Sequence, residues 1–330
     1  TDEHLGRMDK GWAAWAVMMS NDRLPKGSPL NPMPDGSKGQ KASTYLSNLR
    51  TRMSRLSKVE IPGFKEGLVT RLRSWEPGRV TTGWWLTRTG KEYMHAPYSI
   101  ATEPSVLKAG HIWDSADIGF QIESLFGLTI LSERETTSGQ TFRDGLTQEV
   151  PTSLFKAKRT GQERDGLPRS KRPDLAILHI SSSGRASFTA IEVERVMSRP
   201  IRDYREKLLT YTEDPHVDAI WYLCDRAPIR NRVRQAYTDL LKAGEIADTS
   251  TTPTLVETVQ HWGEPPPREQ QDGYLRRTTS WVGLPGIGLD GSPLLNSKGE
   301  PSAVGKRMLG ALRMEQTMQS ASMRLNGRVH

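Results

Sequence analysis

The 330 residues include 46 Lys and Arg against 38 Asp and Glu, and the formal net charge of +8 favours a polyanionic partner such as nucleic acid. The single cysteine excludes an internal disulfide and a cysteine zinc cluster, and the longest apolar run, residues 12–19, falls far short of the roughly 20 residues that span a bilayer. We therefore expect a cytoplasmic, nucleoid-associated protein with no membrane partner.

The first hundred residues carry most of the positive charge, with 16 basic and 9 acidic side chains. The sequence pattern predicts helices over residues 5–19, 42–57 and 64–75. On the last two helices, basic side chains lie opposite the apolar face: Arg50, Arg52, Arg55, Arg71 and Arg73. β-Branched and aromatic residues around a central glycine then predict a hairpin over residues 79–94, which carries Arg88.

The order helix, helix, basic hairpin is typical of a winged helix-turn-helix. Such a module lays one helix in the major groove of DNA and sets its wing on the backbone. The six arginines would then contact DNA phosphates. A small α+β domain that binds protein is the alternative interpretation of the same pattern.

The residue pattern in the middle of the chain predicts an α/β domain of the α+β type. A helical stretch within residues 112–131 leads into a first strand at 128–131, and two strands follow at 174–180 and 187–193. The remaining elements are a helix over 200–212, a strand over 217–224, a helix over 228–243 and a strand over 252–259. In this α-β-β-β-α-β order, the first three strands can form an antiparallel meander, and the helical crossover lets the fourth pair in parallel.

Three carboxylates lie on the second and third strands of this domain. Asp174 opens the second strand, and Glu192 and Glu194 point to the same face of the third. If the two strands pair through a short turn, Asp174 approaches Glu192, and close carboxylates repel one another unless a cation holds them. Oxygen ligands suit Mg²⁺ or Mn²⁺, and such a metal can polarise a phosphodiester and activate a water.

The residues around these carboxylates resemble the PD-(D/E)xK nuclease-like fold, through Arg172-Pro173-Asp174 and Ile191-Glu192-Val193-Glu194 on this order of elements. The resemblance implies that Asp174 and Glu192 are metal ligands and that a lysine two residues after the glutamate helps to position the water. Glu194 occupies that lysine position. Either Lys207 on the next helix supplies the amine, or Glu194 is a third ligand, or the site has lost cleavage and only binds DNA. The candidate catalytic residues are Asp174, Glu192, Glu194 and Lys207.

A longer set of segments is similar to the replication-relaxation family of bacterial plasmids and mobile elements. The segments are LSERE at 131–135, RPDLAI at 172–177, AIEVE at 190–194, KLLTY at 207–211, IWYLCD at 220–225 and the run Trp85-Leu86-Thr87 before Gly90. Proteins of that family join a winged helix to a nuclease-like domain. The resemblance implies a DNA-binding protein of a plasmid, phage or integrated element that acts in replication, mobilisation or regulation.

We expect a winged-helix domain over residues 1–100, a nuclease-like domain over 101–260 and an irregular tail over 261–330. The Pro- and Gly-rich tail, with one short helix over 303–318, offers a surface for replication, mobilisation or assembly proteins. A basic loop at 155–173 is either an arm on nucleic acid or a solvated linker. The alternative functions are an active Mg²⁺-dependent endonuclease and a non-enzymatic structural or assembly protein.

Overall fold

The computed structural model describes residues 51, 53–63, 65–76, 79–93, 106–143, 146–150, 152–155, 172–181, 185–195, 199–247, 254–262, 281–288 and 290–326. Its strands are β1 (Val69–Glu76), β2 (Arg79–Leu86), β3 (Ile130–Ser132), β4 (Gln140–Arg143), β5 (Leu146–Glu149), β6 (Leu175–Ile180), β7 (Ala186–Glu194), β8 (Val217–Cys224), β9 (Thr254–Thr258), β10 (Gln260–Trp262) and β11 (Trp281–Gly283). Its helices are α1 (Arg88–Tyr93), α2 (Val106–Phe126), α3 (Glu133–Ser138), α4 (Ile201–Thr212), α5 (Ala227–Lys242) and α6 (Ala303–Asn326), and Thr152–Phe155 form a 3-10 turn.

Contacts divide the chain into two compact units. The described residues up to Phe120 belong to the first unit, together with those within Phe142–Thr147 and His261–Trp281, and the second consists of Gln121–Thr141, Gln148–Gln260 and Val282–His330. The described residues contain six helices and a five-stranded sheet with both antiparallel and parallel pairs, which confirms the α+β class. Within the described residues, none of the helices is both long and apolar enough to cross a membrane.

The first unit is built on an antiparallel hairpin of β1 and β2, in which Val69 lies opposite Leu86 and Glu76 opposite Arg79. The predicted helix over residues 64–75 is therefore wrong, and Arg71 and Arg73 lie on a strand. The apolar spacing of this segment suits a helix, but its neighbour along the chain is rich in Val, Thr and Trp. Pairing with that strand outweighs the local preference, because β structure depends on its cross-strand contacts.

The residues on either side of this hairpin are helical. Residues 53–56 are helical, as predicted for this part of 42–57, whereas the predicted helix at 5–19 lies outside the described residues. The predicted hairpin over 79–94 is wrong, because residues 79–86 form a single strand that pairs with the preceding β1, and residues 88–93 form α1. The Thr87 hydroxyl accepts a hydrogen bond from Gly90 N at 3.0 Å and thereby caps this helix, so the chain leaves the strand at Thr87.

The second unit is built on a five-stranded sheet in the order β3-β6-β7-β8-β9. β3 pairs antiparallel with β6 and β6 with β7, while β8 pairs parallel with β7 and β9 with β8. This arrangement confirms the predicted meander and the parallel fourth strand. Helices α4 and α5 bury apolar residues against one face of the sheet, among them Leu208, Val233 and Leu240.

The segment LSERE forms the end of β3 and the start of α3. Ser132 is the N-cap: its hydroxyl accepts from Glu135 N, and the Glu135 carboxylate accepts from Ser132 N at 2.6 Å. This capping box satisfies two backbone donors that the first turn of the helix would otherwise leave unpaired. Glu135 is fully buried in this structural role.

The predicted irregular tail is wrong for Ala303–Asn326, which form a long helix, and residues 282–288 and 290–326 belong to the second unit. Gln121 on α2 donates to Val282 O and accepts from Leu284 N, and Gln319 on α6 donates to Thr129 O. The predicted short helix at 303–318 is the 24-residue α6. Apolar residues of this segment, among them Leu284, Met308 and Leu312, are also buried, although the sequence around them is rich in Gly and Pro.

Candidate functional site

Asp174 and Glu192 are brought together by the antiparallel pairing of β6 with β7. The register that pairs Leu175 with Ile191 places Asp174, one residue before its strand, opposite Glu192. The Asp174 carboxylate accepts a hydrogen bond from Val193 N at 2.8 Å, which fixes it against β7. The predicted approach of these two carboxylates is therefore confirmed.

Glu192 is buried and has a partner on each carboxylate oxygen. Lys207 on α4 donates to Oε2, and the Tyr211 hydroxyl donates to Oε1 at 2.5 Å. Burial raises the pKa of Glu192 to about 7, with a further rise from the charge of Asp174, although Lys207 and the hydrogen bonds pull it down. The carboxyl group therefore exchanges its proton near neutral pH.

Lys207 lies on α4, the helix that follows β7, and is the lysine proposed from the sequence as the source of the amine. Its side chain keeps 29% of its surface exposed, so the ammonium lies at the boundary between the buried glutamate and solvent. Burial lowers the pKa of Lys207, but attraction by Glu192 and Asp174 outweighs it and raises the pKa overall. Lys207 is therefore protonated throughout the neutral range.

Glu194 points to the same face as Glu192 but has its own cation. Arg199, just before α4, contacts the Glu194 carboxylate at 2.6 Å. The Arg199 guanidinium also lies over the ring of Tyr204, 5.7 Å from its centre. Burial works against the charged form of Arg199, but Glu194 and its neighbours raise the pKa. Its side chain is 38% exposed, which leaves part of the guanidinium open to solvent.

A buried hydroxyl lies beside these groups. Tyr222 on β8 is the register partner of Glu192, and its ring packs edge-on against Tyr204. Its hydroxyl is buried and has no hydrogen-bond partner among the described residues. Burial, together with the charges of Glu192 and Glu194, raises the pKa of Tyr222 and keeps it neutral.

These side chains form one arrangement, which we name the polar cluster: Asp174, Glu192, Glu194, Arg199, Lys207, Tyr211 and Tyr222. Sequence reasoning identified Asp174, both glutamates and Lys207. It did not identify Tyr211, although the spacing of four from Lys207 places both on one helix face. It missed Arg199, which precedes α4 in a stretch without periodicity.

The polar cluster does not fit a resident divalent cation as it is arranged. Both oxygens of Glu192 are engaged by Lys207 and Tyr211, and Glu194 is neutralised by Arg199. A metal would have to displace these partners, because Mg²⁺ requires free carboxylate oxygens. In the part of the chain that the structure describes, no three or more His, Cys, Asp or Glu side chains are grouped to hold a metal ion.

The arginines predicted to bind DNA are described only in part. Arg50 and Arg52 lie outside the described residues, as do the side chains of Arg71 and Arg73. Arg55 is exposed on the helical residues 53–56. Arg88 is exposed on α1 and pairs with Glu92 at 2.9 Å, so part of its charge is balanced locally.

Comparison with known proteins adds no relative. The chain matches no protein-family model, no curated protein sequence and no solved structure. The resemblance to the replication-relaxation family stays a prediction.

Proposed function

We propose that this chain is a DNA-binding protein of a plasmid, phage or integrated element, acting in replication, mobilisation or regulation. Its first unit would be a winged helix, and its second a PD-(D/E)xK-like core that binds without a resident metal. The carrying observation is the pairing of each buried glutamate of the polar cluster with a cation. A cation thus balances each glutamate, whereas a metal site gathers unneutralised carboxylates.

The topology of the second unit supports the nuclease-like core. The end of α2, residues 121–126, belongs to this unit and is followed by the sheet elements in the order β3-β6-β7-α4-β8, and the carboxylates lie where β6 begins and β7 ends. The lysine reaches Glu192 from α4 instead of from the strand. Lys207 and Arg199, eight positions apart in sequence, are both partly exposed, so this edge offers two cations to a phosphate backbone.

The winged-helix part of the proposal is supported by the hairpin of the first unit. Eight residues on each strand give it the reach of a wing, and β1 carries Arg71 and Arg73. The helical residues 53–56 precede it and present Arg55 to solvent. Contacts of these arginines with phosphates would give binding that weakens steeply with salt, because each contact releases condensed counterions.

The first experiment measures binding of the full chain to a fluorescent duplex over a range of salt concentrations. The Arg55→Gln variant is expected to bind more weakly at every salt concentration and to reduce the slope of log K against log salt by about 0.9. Arg313→Gln, an exposed arginine on α6, is the charge-matched control and should leave the slope unchanged. A chain that binds no duplex at low salt contradicts the proposal and favours the structural or assembly alternative, especially if it forms a defined oligomer.

A second experiment separates binding from cleavage. Supercoiled plasmid is incubated with the protein and with Mg²⁺, Mn²⁺ or EDTA, beside Asp174→Asn and the control Asp203→Asn, an aspartate on the same helix as Lys207. We expect intact plasmid in every lane under conditions where a gel shift shows binding. Nicking that requires a metal and disappears only in Asp174→Asn would instead establish the alternative, an Mg²⁺-dependent endonuclease.

A further inference from the structure

A second cluster of charged groups lies within the second unit, at the edge of its sheet. β9 is the last strand in the sheet order, and Glu257 on it is buried. Two arginines converge on its Oε1 atom: Arg307 from α6, through Nη2 at 2.7 Å and Nε at 2.8 Å, and Arg234 from α5, through Nη2 at 3.1 Å. A single carboxylate thus holds two guanidiniums, which leaves a net positive charge.

Both guanidiniums are held in fixed orientations. Arg234 also donates through Nε and Nη2 to Val256 O, at 3.1 and 2.8 Å, so it is fixed to the strand as well as to Glu257. The Nη1 atom of each arginine makes no hydrogen bond to any described residue. The two side chains remain 46% and 51% exposed, so these unused donors are accessible.

The arginines border a cleft of about 350 Å³, lined also by Tyr237, Thr238 and Thr254, which we name the arginine cleft. Its volume lies within the roughly 300–1,000 Å³ that ligand sites occupy. The Thr254 hydroxyl has no hydrogen-bond partner among the described residues. Among the described residues that line the cleft, Glu257 is the one acidic side chain, and its negative charge is exceeded by the charges of the two arginines.

We propose that the arginine cleft is a binding site for a phosphate group. Two guanidiniums that reach the same carboxylate oxygen are close enough to donate to two oxygens of one phosphate, which is the geometry that arginine favours. Glu257 is the positioning residue: it is enclosed and holds the two forks in place. The phosphate belongs either to a DNA backbone or to a free nucleotide. The inference depends on the proposed DNA-binding function only if the phosphate belongs to a DNA backbone.

The test uses the full chain, with Arg307→Gln as the variant and Arg313→Gln, on the same helix, as the charge-matched control. Titration with inorganic phosphate and with a deoxynucleoside 5′-monophosphate is followed by calorimetry. We expect the wild type and Arg313→Gln to bind at least one of them, and Arg307→Gln to bind it at least about tenfold more weakly, because a charge-assisted hydrogen bond contributes more than that factor.

A duplex titration separates the two sources. If the site holds a DNA backbone, Arg307→Gln reduces the salt slope by about 0.9 relative to Arg313→Gln. If it holds a free nucleotide, the duplex slope is the same in both variants while nucleotide binding is lost in Arg307→Gln. Equal behaviour of the two variants towards phosphate, nucleotide and duplex overturns the proposal.

The Arg307→Gln substitution leaves Glu257 with one cation, so a second variant serves as the control for correct folding. This variant, Glu257→Gln/Arg307→Gln, replaces the ion pair with two neutral amides. Its circular dichroism and melting temperature without ligand should match those of the wild type, and its phosphate affinity should fall as in Arg307→Gln. Retained phosphate binding in this folded variant also overturns the proposal. Phosphate binding that depends on Arg307 in a chain that binds no duplex would refute the proposed function alone.

Discussion

The Glu192→Gln substitution is expected to make the second unit less sensitive to pH. Glu192 has a pKa of about 7 in the folded chain, against 4.5 for an unperturbed glutamate, chiefly because it is buried. Below pH 4.5 both the folded and the unfolded state hold the proton. Between pH 4.5 and 7 the unfolded state releases it first, so the wild type loses stability as the pH rises, and above pH 7 the loss is complete.

The size of the effect follows from the two pKa values. At about 1.4 kcal/mol for each tenfold change in proton affinity, the difference corresponds to about 3 kcal/mol. Lys207 stays protonated over this range, because its pKa is raised, and adds no pH dependence. The free energy of unfolding of Glu192→Gln, minus that of the wild type, should therefore increase by about 3 kcal/mol from pH 4.5 to pH 7.5.

Urea denaturation at pH 4.5, 5.5, 6.5 and 7.5 measures this difference. Hydrogen exchange of peptides from β7 and β8 assigns the transition to the second unit. Glu213→Gln, an exposed glutamate just after α4, is the control and should show no change with pH relative to the wild type. A Glu192→Gln difference that is the same at pH 4.5 and 7.5 would refute the reasoning, because Glu192 would then ionise normally in the fold.

Two matched pairs of variants, compared by their free energies of unfolding, test the packing of α6 and the contacts of the polar cluster. Gly305→Ala places a Cβ against the Gly286 carbonyl oxygen and should destabilise the chain by about 1–3 kcal/mol, whereas Gly310→Ala, with open space on the same helix, should stabilise it by roughly 0.5–1 kcal/mol. Tyr211→Phe removes a hydrogen bond to a buried carboxylate and should cost about 1–3 kcal/mol, whereas Tyr222→Phe removes an unpaired hydroxyl and should be neutral or stabilising. Equal effects within either pair would contradict the contacts assigned to it.

The sheet of the second unit could be predicted because its signals are local. β6, β7 and β8 each read as a short apolar run bounded by turn residues, and the helix between β7 and β8 forces the parallel pairing. The carboxylates followed from the same reasoning, since Asp174 and Glu192 lie at strand positions that pairing brings together. Lys207 was placed by its position on the next helix.

The hairpin and the C-terminal segment could not be predicted because distant partners determine them. Leu68, Val69 and Leu72 have a spacing that a helix and a strand can both accept, and only the β2 partner decides between them. Residues 281–326 are held by side chains such as Gln121 and Gln319, which bond to backbone groups more than 140 positions away. The neighbouring sequence of a buried polar residue that bonds to a distant part of the chain looks the same as that of a polar residue exposed to solvent.

Exposure distinguishes the polar groups of this sheet to which we assign a function from those that only stabilise the fold. On α6, the Glu315 carboxyl group lies 2.6 Å from His179 Nε2 and accepts a hydrogen bond from the Thr189 hydroxyl, and the side chains of Glu315 and His179 are at most 5% exposed. No ligand can reach that pair, so its effect is to fix the helix in one position on the sheet. In the polar cluster, the buried glutamates instead face cations that extend to solvent, namely Lys207 and Arg199. Polar side chains that are fully enclosed stabilise the packing of the fold, whereas cations that reach the surface can bind a partner. Because Lys207 and Arg199 reach the surface, we assign the proposed function to the polar cluster.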